Sequence, residues 1–224
     1  MHLIIGLGPI GGNVGARLVE VGRRVYGNDF NAERVRGWSE ETGAPAATDL
    51  TAVDWAAVES VHIAVRLADQ VVSVFESLRK HTERSLTVFV HTTLAPSDAR
   101  KIFSAAPEGW RAFEAPVSGG PQGARQGSMT IFLVGPEPTE AEDRLLAAIA
   151  GRVFRMPSYG QPALVKLLNN ALATYNLAAT ARMLNLAAEH GVPARDFFEV
   201  ISVSTGRSWM SDNLIDVQYD LLLK

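Results

Sequence analysis

Short apolar runs and longer stretches of helical spacing alternate along the first 156 residues. The order is HLIIG from His2, Pro9 to Val21, RRVYGND, Ala32 to Glu41, SVHIAV, Asp69 to Lys80, LTVFVHTT, and Ser97 to Ala105. Runs of four to six apolar residues bounded by Gly, Asn or Asp read as strands, and recurrence every three or four positions reads as helix. The rhythm is βαβα. Parallel strands need crossover connections, nearly always right-handed, so the pattern predicts a parallel sheet with helices on both faces. Further strands are predicted at WRAFEA, MTIFLVG and RVFRMP. After Pro157 the strand pattern stops. From Ala163 to His190 the chain reads as one long helix, opened by Pro162 and closed by Gly191 and Pro193. Its large residues, among them Leu164, Val165, Leu168, Leu172, Tyr175, Met183, Leu184 and Leu186, point in nearly every direction. That distribution marks a helix covered on most sides, and little chain follows it. The expected cover is a second copy of the chain, as a homodimer or higher homo-oligomer, or covering helices beyond Lys224.

Composition narrows the partners. With 21 basic and 24 acidic residues and a formal net charge of -3, the chain carries no basic stripe for nucleic acid or an anionic membrane. Small molecules are the expected ligands. Hydrophobic residues make up 47% of the 224, enough for a full core. Cysteine is absent, which removes disulfides and thiolate chemistry and fits a reducing compartment. His2, His62, His81, His91 and His190 are scattered without metal-ligand spacing, so no metal is expected. The first strand starts at His2 and no apolar run reaches 18 residues, so the expected location is the cytoplasm.

The chemistry begins at LIIGLGPIGGNVGARL. Gly6, Gly8 and Gly11 form G-x-G-x-x-G directly after a predicted strand and at the start of a predicted helix, the context of a Rossmann dinucleotide site. Gly6 permits the tight turn, Gly8 lets a pyrophosphate approach the backbone, and Gly11 lets helix and sheet close up. The helix N-terminus then offers N–H groups and the positive end of its dipole to the phosphates. Gly12 and Gly15 extend the close packing. Asp29 ends the second strand 23 positions after Gly6, where an acid accepts from a ribose 2′-hydroxyl. A 2′-phosphate there meets a like charge, which favours NAD without excluding NADP, since Arg34 is one turn away. The competing role for Asp29 is that of a turn or cap residue before the next helix.

Two further constellations each allow two readings. In EAPVSGGPQGARQGSM, Ser118, Gly119 and Gly120 form either a nest for one anion or a flexible connection at the edge of the sheet. On the long helix, Lys166, Asn169 and Asn170 stand at i, i+3 and i+4 on one face, among apolar neighbours. A partly buried lysine titrates lower and can shuttle a proton; the alternative is a packed stem with its amine at the surface.

Together these segments resemble the β-hydroxyacid dehydrogenase family, which includes 3-hydroxyisobutyrate dehydrogenase and tartronate semialdehyde reductase. GLGPIGGNVGARL is similar to that family's cofactor motif, HTTLAP to its later cofactor loop, APVSGGPQGA to its substrate loop, GQPALVKLLNN to its catalytic helix, and STGRSW to a segment that follows. The motifs occur in family order along essentially the whole chain. The resemblance implies an α/β fold: a Rossmann-type doubly wound parallel sheet over residues 1–157, then an all-helical domain over 158–224 that is truncated at its C-terminus relative to the family.

The resemblance also implies roles. Lys166 is the catalytic lysine and Asn170 its substrate-orienting partner; Ser118, Gly119 and Gly120 hold the substrate carboxylate, with Asn169 beside them. Gly6, Leu7, Gly8, Pro9, Ile10 and Gly11, together with Asp29, Phe30, Val65 and Thr93, form the cofactor site, Thr93 near the nicotinamide. The implied reaction is reversible hydride transfer between nicotinamide and the hydroxyl-bearing carbon of a small β-hydroxyacid, with Lys166 moving the proton. Two features depart from the pattern. Arg66 in VRLADQ replaces a Leu-Pro pair after the fourth strand, and Lys224, which resembles a cofactor-reaching lysine, stands last in the chain. The rival readings are an imine reductase, a 6-phosphogluconate dehydrogenase and an inactive dinucleotide-binding module. Lys166, the absence of a larger helical domain, and the retained Ser-Gly-Gly loop argue against them in turn.

Overall fold

The computed structural model describes residues 1–213. The chain divides into two compact units, Met1–Lys166 and Leu167–Lys224. In the first unit, six strands form one sheet: β1 (His2–Ile5), β2 (Val25–Asn28), β3 (Ala46–Ala47), β4 (Ser60–Ile63), β5 (Thr87–Val90) and β6 (Arg111–Glu114). Their order is β3-β2-β1-β4-β5-β6 and every pairing is parallel. The order reverses beside β1, between the branch leading to β2 and the branch leading to β4. In sheets of this kind ligands bind outside the carboxyl ends of the strands at that point.

The helices α1 (Gly11–Glu20), α2 (Ala32–Thr42), α3 (Ala68–His81) and α4 (Pro96–Ser104) fall where the apolar spacing predicts them, within two residues at each end. Two buried clusters lie on the two faces of the sheet. One joins Leu3, Ile5, Val61, Ile63, Val88 and Val90 to Val71, Phe75 and Leu78 of α3 and Ile102 and Phe103 of α4. The other joins Ile4, Phe89 and Phe113 to Val14 and Leu18 of α1 and to Trp38 of α2. Alternate residues of each strand supply opposite faces, as the pleat requires. Trp38 is seated among glycines. Side chains at Gly15 or Gly27 would stand 2.8 Å from its ring, and its indole N–H donates to the Gly12 carbonyl at 2.8 Å.

The remaining strands of this unit do not extend the parallel sheet. β7 (Val117–Ser118), β8 (Met129–Leu133) and β9 (Ala150–Arg155) form a separate three-stranded sheet, with β7 antiparallel and β9 parallel to β8. The parallel β8–β9 pair needs a crossover, supplied by α6 (Glu140–Ile149). The start of α6 is a capping box in which Thr139 accepts from the Glu142 N–H and Glu142 accepts from the Thr139 N–H. The glycine-rich run from Glu114 to Met129 is largely regular: it contains β7 and α5 (Gly120–Gln126).

α7 (Gln161–Glu189) begins in the first unit and runs through the second. The second unit has its own small core, Leu184 against Phe198 of α8 (Ala194–Ser202), with Leu177 and Phe197 at its edge. Other apolar side chains of α7 are left exposed: Leu168 and Leu172 are each 60% exposed and Tyr175 is 74% exposed. Among the described residues, no helix is long and apolar enough to cross a membrane, and no three His, Cys, Asp or Glu side chains group to hold a metal.

Candidate active site

Parallel pairing brings the segments singled out in the sequence to one edge. Gly6 follows β1, Asp29 follows β2, Val65 follows β4 and Thr93 follows β5, while β6 leads within four residues to Ser118. The first four lie just beyond the carboxyl ends of parallel strands, and Ser118 lies in β7.

The glycine turn has the shape of a cradle. Gly6 has φ +94°, and a side chain there would stand 2.6 Å from the Ala64 carbonyl oxygen. A side chain at Gly11 would stand 2.0 Å from the Gly6 carbonyl oxygen, so the closeness of turn, helix and β4 depends on both glycines. Gly8 differs, since a side chain there would meet nothing within 4 Å. The space over Gly8 is therefore not used for packing. The first turn of α1 carries no acidic residue, and its cap position, Ile10, gives no side-chain hydrogen bond. A helix start that opens on free space and lacks a protein acid fits a bound pyrophosphate.

Asp29 is 4% exposed, and both its oxygens accept backbone bonds, Oδ2 from the Leu7 N–H at 2.8 Å and Oδ1 from the Asn31 N–H at 2.9 Å. It thus ties the end of β2 to the glycine turn. The cap of α2 is Asn31, which accepts from the N–H groups of Glu33 and Arg34. A carboxylate has about four acceptor positions, so these bonds leave room for a ribose hydroxyl. The Arg34 guanidinium lies 3.6 Å from Asp29 Oδ2 and is half-exposed. Phe30, beside it, is 81% exposed.

The loops after β4, β5 and β6 are bound to one another. The Thr92 hydroxyl donates to the Val65 carbonyl at 2.8 Å, the His91 ring meets the Ala115 carbonyl at 2.9 Å, and the Ala115 N–H donates to the Val90 carbonyl at 2.9 Å. Beyond Ala115, Gly119 and Gly120 have φ of +118° and +64°, left-handed values that glycine adopts without penalty. Ser118, at the end of β7, is partly exposed beside them.

Lys166 is placed by a residue the sequence reading passed over. Glu114, at the end of β6, is buried and accepts from the Gly160 N–H at 2.7 Å and the Ala163 N–H at 2.8 Å. It satisfies two otherwise unpaired donors at the start of α7, and a carboxylate suits a helix N-terminus. Burial pushes the Glu114 carboxyl above its ordinary range, while the two N–H groups and Arg100 pull it back. Lys166 follows Ala163 by three residues and is half-buried; burial lowers its ammonium below the usual lysine value. Asn169 and Asn170, further along α7, are exposed. Arg66 is exposed, with its N–H donating to Gln70 Oε1 at 3.0 Å. Lys224 lies outside the described residues.

Comparison with known proteins settles the family. Residues 3–157 match the model of the NAD binding domain of 6-phosphogluconate dehydrogenase, and residues 160–219 match that of the NAD-binding region of NADP-dependent 3-hydroxyisobutyrate dehydrogenase. The chain belongs to the β-hydroxyacid dehydrogenase family. Among its relatives, L-threonate dehydrogenase of Escherichia coli O6:H1 is 32% identical over 216 residues, covering 94% of this chain and 71% of that one. The 3-hydroxyisobutyrate dehydrogenase of Pseudomonas aeruginosa is 30% identical over 210 residues, covering 92% and 70%. Among solved structures, a 3-hydroxyisobutyrate dehydrogenase from Salmonella typhimurium superposes with a TM-score of 0.81 at 29% identity, over 96% of this chain and 77% of that one. Psf3, solved in complex with NADP+ and 2-OPP, gives a TM-score of 0.85 at 27% identity, over 96% and 78%. This dehydrogenase is accordingly an oxidoreductase with a nicotinamide cofactor, built as a parallel Rossmann sheet followed by a helical region.

Proposed function

We propose that the dehydrogenase interconverts a small β-hydroxyacid and its carbonyl form with Lys166 as general acid and base. The observation that carries this reading is Lys166 itself: a half-buried lysine with a lowered pKa, on a helix whose start is held at the carboxyl edge of the sheet by Glu114. When bound, nicotinamide supplies the chemistry of accepting or returning a hydride. The cradle from Gly6 to Gly11, with Leu7, Pro9 and Ile10, holds the pyrophosphate; Asp29 and Phe30 hold the adenosine end, and Val65 and Thr93 face the nicotinamide end. Ser118, Gly119, Gly120 and Asn169 bind the substrate carboxylate, and Asn170 orients the substrate. Lys166 takes the hydroxyl proton as the alcohol carbon loses its hydride, and returns a proton to the carbonyl oxygen in the reverse direction. Lowering of its pKa by burial favours the neutral amine needed for the first of these steps.

The substrate is a hydroxyacid of the size of threonate, 3-hydroxyisobutyrate or serine, the compounds named for relatives. Residues 1–157 form the cofactor domain and 158–224 the helical substrate and dimerisation domain, placed in the cytoplasm without nucleic-acid or membrane partners. The exposed apolar residues of α7 support cover by a second copy, which light scattering of the natural chain checks.

Absorbance at the reduced-nicotinamide band, measured with NAD and with NADP over a panel of β-hydroxyacids, tests the activity. Lys166→Met lowers turnover by about 10² to 10⁴, the usual contribution of a positioned acid-base group, while dinucleotide affinity stays unchanged. Near-normal turnover by that variant assigns Lys166 a structural role and refutes the mechanism.

A further inference from the structure

A row of buried polar side chains crosses the sheet on the face that carries Ile4 and Phe89. His2 Nδ1 lies 2.9 Å from Ser60 Oγ, Ser60 Oγ lies 3.1 Å from His62 Nε2, His62 Nδ1 lies 3.0 Å from His91 Nε2, and His91 Nδ1 lies 2.9 Å from the Ala115 carbonyl oxygen. The row starts at the amino end of β1 and finishes at the loop after β6. None of its four side chains is more than 5% exposed. The His62 ring also stacks on Phe89, with centroids 5.2 Å apart, and on His91 at 5.3 Å. Burying four polar groups in an apolar sheet is costly unless every one is paired.

The pairing has one direction. A carbonyl oxygen only accepts, so His91 donates from Nδ1 to Ala115, and a neutral His91 then presents a lone pair at Nε2. His62 must donate to that lone pair from Nδ1, which leaves its own Nε2 as acceptor for the Ser60 hydroxyl. Ser60, having donated, accepts from His2 Nδ1. All three rings are thereby fixed as neutral Nδ1–H tautomers by a single carbonyl at the far end. A proton added to His91 places two N–H groups face to face, and one added to His62 sets an N–H against the Ser60 hydroxyl that donates to it. Among the described residues, charged groups reach the row only at His2, where Glu59, the amino terminus and Arg23 lie near; His62 faces His2 and His91, and His91 faces the Ala115 carbonyl.

The end of the row is where it bears on chemistry. The His91 N–H donates to the Ile63 carbonyl at 2.8 Å and its ring donates to Ala115, so one residue spans β4, β5 and the loop after β6. Two residues after His91 stands Thr93; three residues after Ala115 stands Ser118. We propose that His91, kept in its Nδ1–H form by the Ala115 carbonyl and by the His62 N–H that its Nε2 accepts, is a positioning residue for hydride transfer: it fixes the spacing between the loop carrying Thr93 and the loop carrying Ser118, Gly119 and Gly120. The proposal rests on reading these as the nicotinamide and substrate loops.

The full chain labelled with 15N-histidine tests the tautomers at neutral pH through two-bond proton–nitrogen couplings. His2, His62 and His91 are expected as neutral Nδ1–H rings; an Nε2–H His91 in an active enzyme overturns the positioning role alone. Kinetics test the consequence. His91→Phe keeps a ring but removes the donor, and is expected to lower kcat about tenfold to a hundredfold, the cost of a misplacement near 1 Å, with dinucleotide Kd little changed. His91→Asn, whose amide nitrogen can stand in for Nδ1, recovers most of that loss, a rescue that simple loss of stability does not give. If His91→Phe does not fold, His62→Phe decides, because it keeps a ring beside Phe89 and removes the N–H that His91 Nε2 accepts. A His91 ring no longer held at that nitrogen, with a several-fold lower kcat, is then expected. Unchanged kcat in His91→Phe, or in His62→Phe where that variant decides, overturns the proposal. A wild-type chain that turns over no hydroxyacid refutes the function proposed above and removes the positioning role with it.

Discussion

Lowering the pH from about 7 to about 5 is expected to remove about 5 kcal/mol of folding stability through His2, His62 and His91 alone. Burial lowers the pKa of His2 and of His91 to about 4 and holds His62 well below its ordinary value. In the unfolded chain each titrates near about 6.5. Because the folded values are depressed, the stability they contribute is complete above the unfolded value and is lost as pH falls from there toward the folded one. At about pH 5 the unfolded rings are almost fully protonated and the folded ones almost fully neutral, which gives about 2 kcal/mol for each ring. Together that rivals the whole stability of an ordinary domain, about 5 to 15 kcal/mol. The loss is steepest between about pH 6 and about pH 5, where nearly three protons are taken up on unfolding, or about 3 to 4 kcal/mol per pH unit. Glu114 works in the opposite sense, since burial raises its carboxyl. Glu59, held low first by its bond to the amino terminus, and Glu142, raised by burial but held low by Arg111 and Thr139, lose stability only in more acid solution. Urea unfolding followed by circular dichroism at closely spaced pH values measures the slope. A stability constant to within about 1 kcal/mol over this range refutes the neutral buried row.

Asp29→Asn is expected to weaken NAD and relieve the penalty on NADP, shifting the ratio of binding constants by about tenfold or more; tighter NADP binding by the unmodified protein defeats the assignment. Gly8→Ala, which meets nothing within 4 Å, leaves the urea midpoint alone while filling the space reserved for the pyrophosphate, so dinucleotide affinity falls. Gly11→Ala, 2.0 Å from the Gly6 carbonyl, destabilises the fold by about 1 to 3 kcal/mol or more. Equal effects of the two alanines on stability contradict the cradle. Glu114→Gln sets an NH₂ group against one of the two N–H donors of α7 and costs about 1 to 3 kcal/mol, read as a lower urea midpoint; an unchanged midpoint shows that Glu114 does not pin the helix.

What the sequence made legible follows from the range of the forces involved. The strand and helix rhythm and the glycine motif are local signals, set by side-chain alternation and by steric needs a few residues apart, so β1, β2, β4, β5, β6 and α1 to α4 fall on the expected spans, whereas the two-residue edge strand β3 is too short to carry an alternation and lies outside them. β8 and β9 have the same local pattern but join a different sheet, because partner choice is decided at long range. Glu114 lies 46 residues from Gly160, and His62 lies 29 from His91. No spacing rule connects such pairs, so each reads in the sequence as an ordinary strand residue. The T-x-x-E start of α6 was a legible signal that the strand rhythm alone does not use.

The seat of Trp38 places a constraint on how this chain and its relatives diverge. Its ring fills the volume that side chains at positions 15 and 27 would occupy, so no single replacement at either position is compatible with an indole at position 38. These three positions should therefore change together or not at all. A relative with a small residue at position 38 is free to carry alanine, serine or valine at positions 15 and 27, and one that keeps the tryptophan should keep both glycines. Directed evolution on this scaffold meets the same rule: libraries that vary positions 15 or 27 singly return mostly misfolded chains, whereas a library coupled to a smaller residue at position 38 opens ground that stepwise change does not reach.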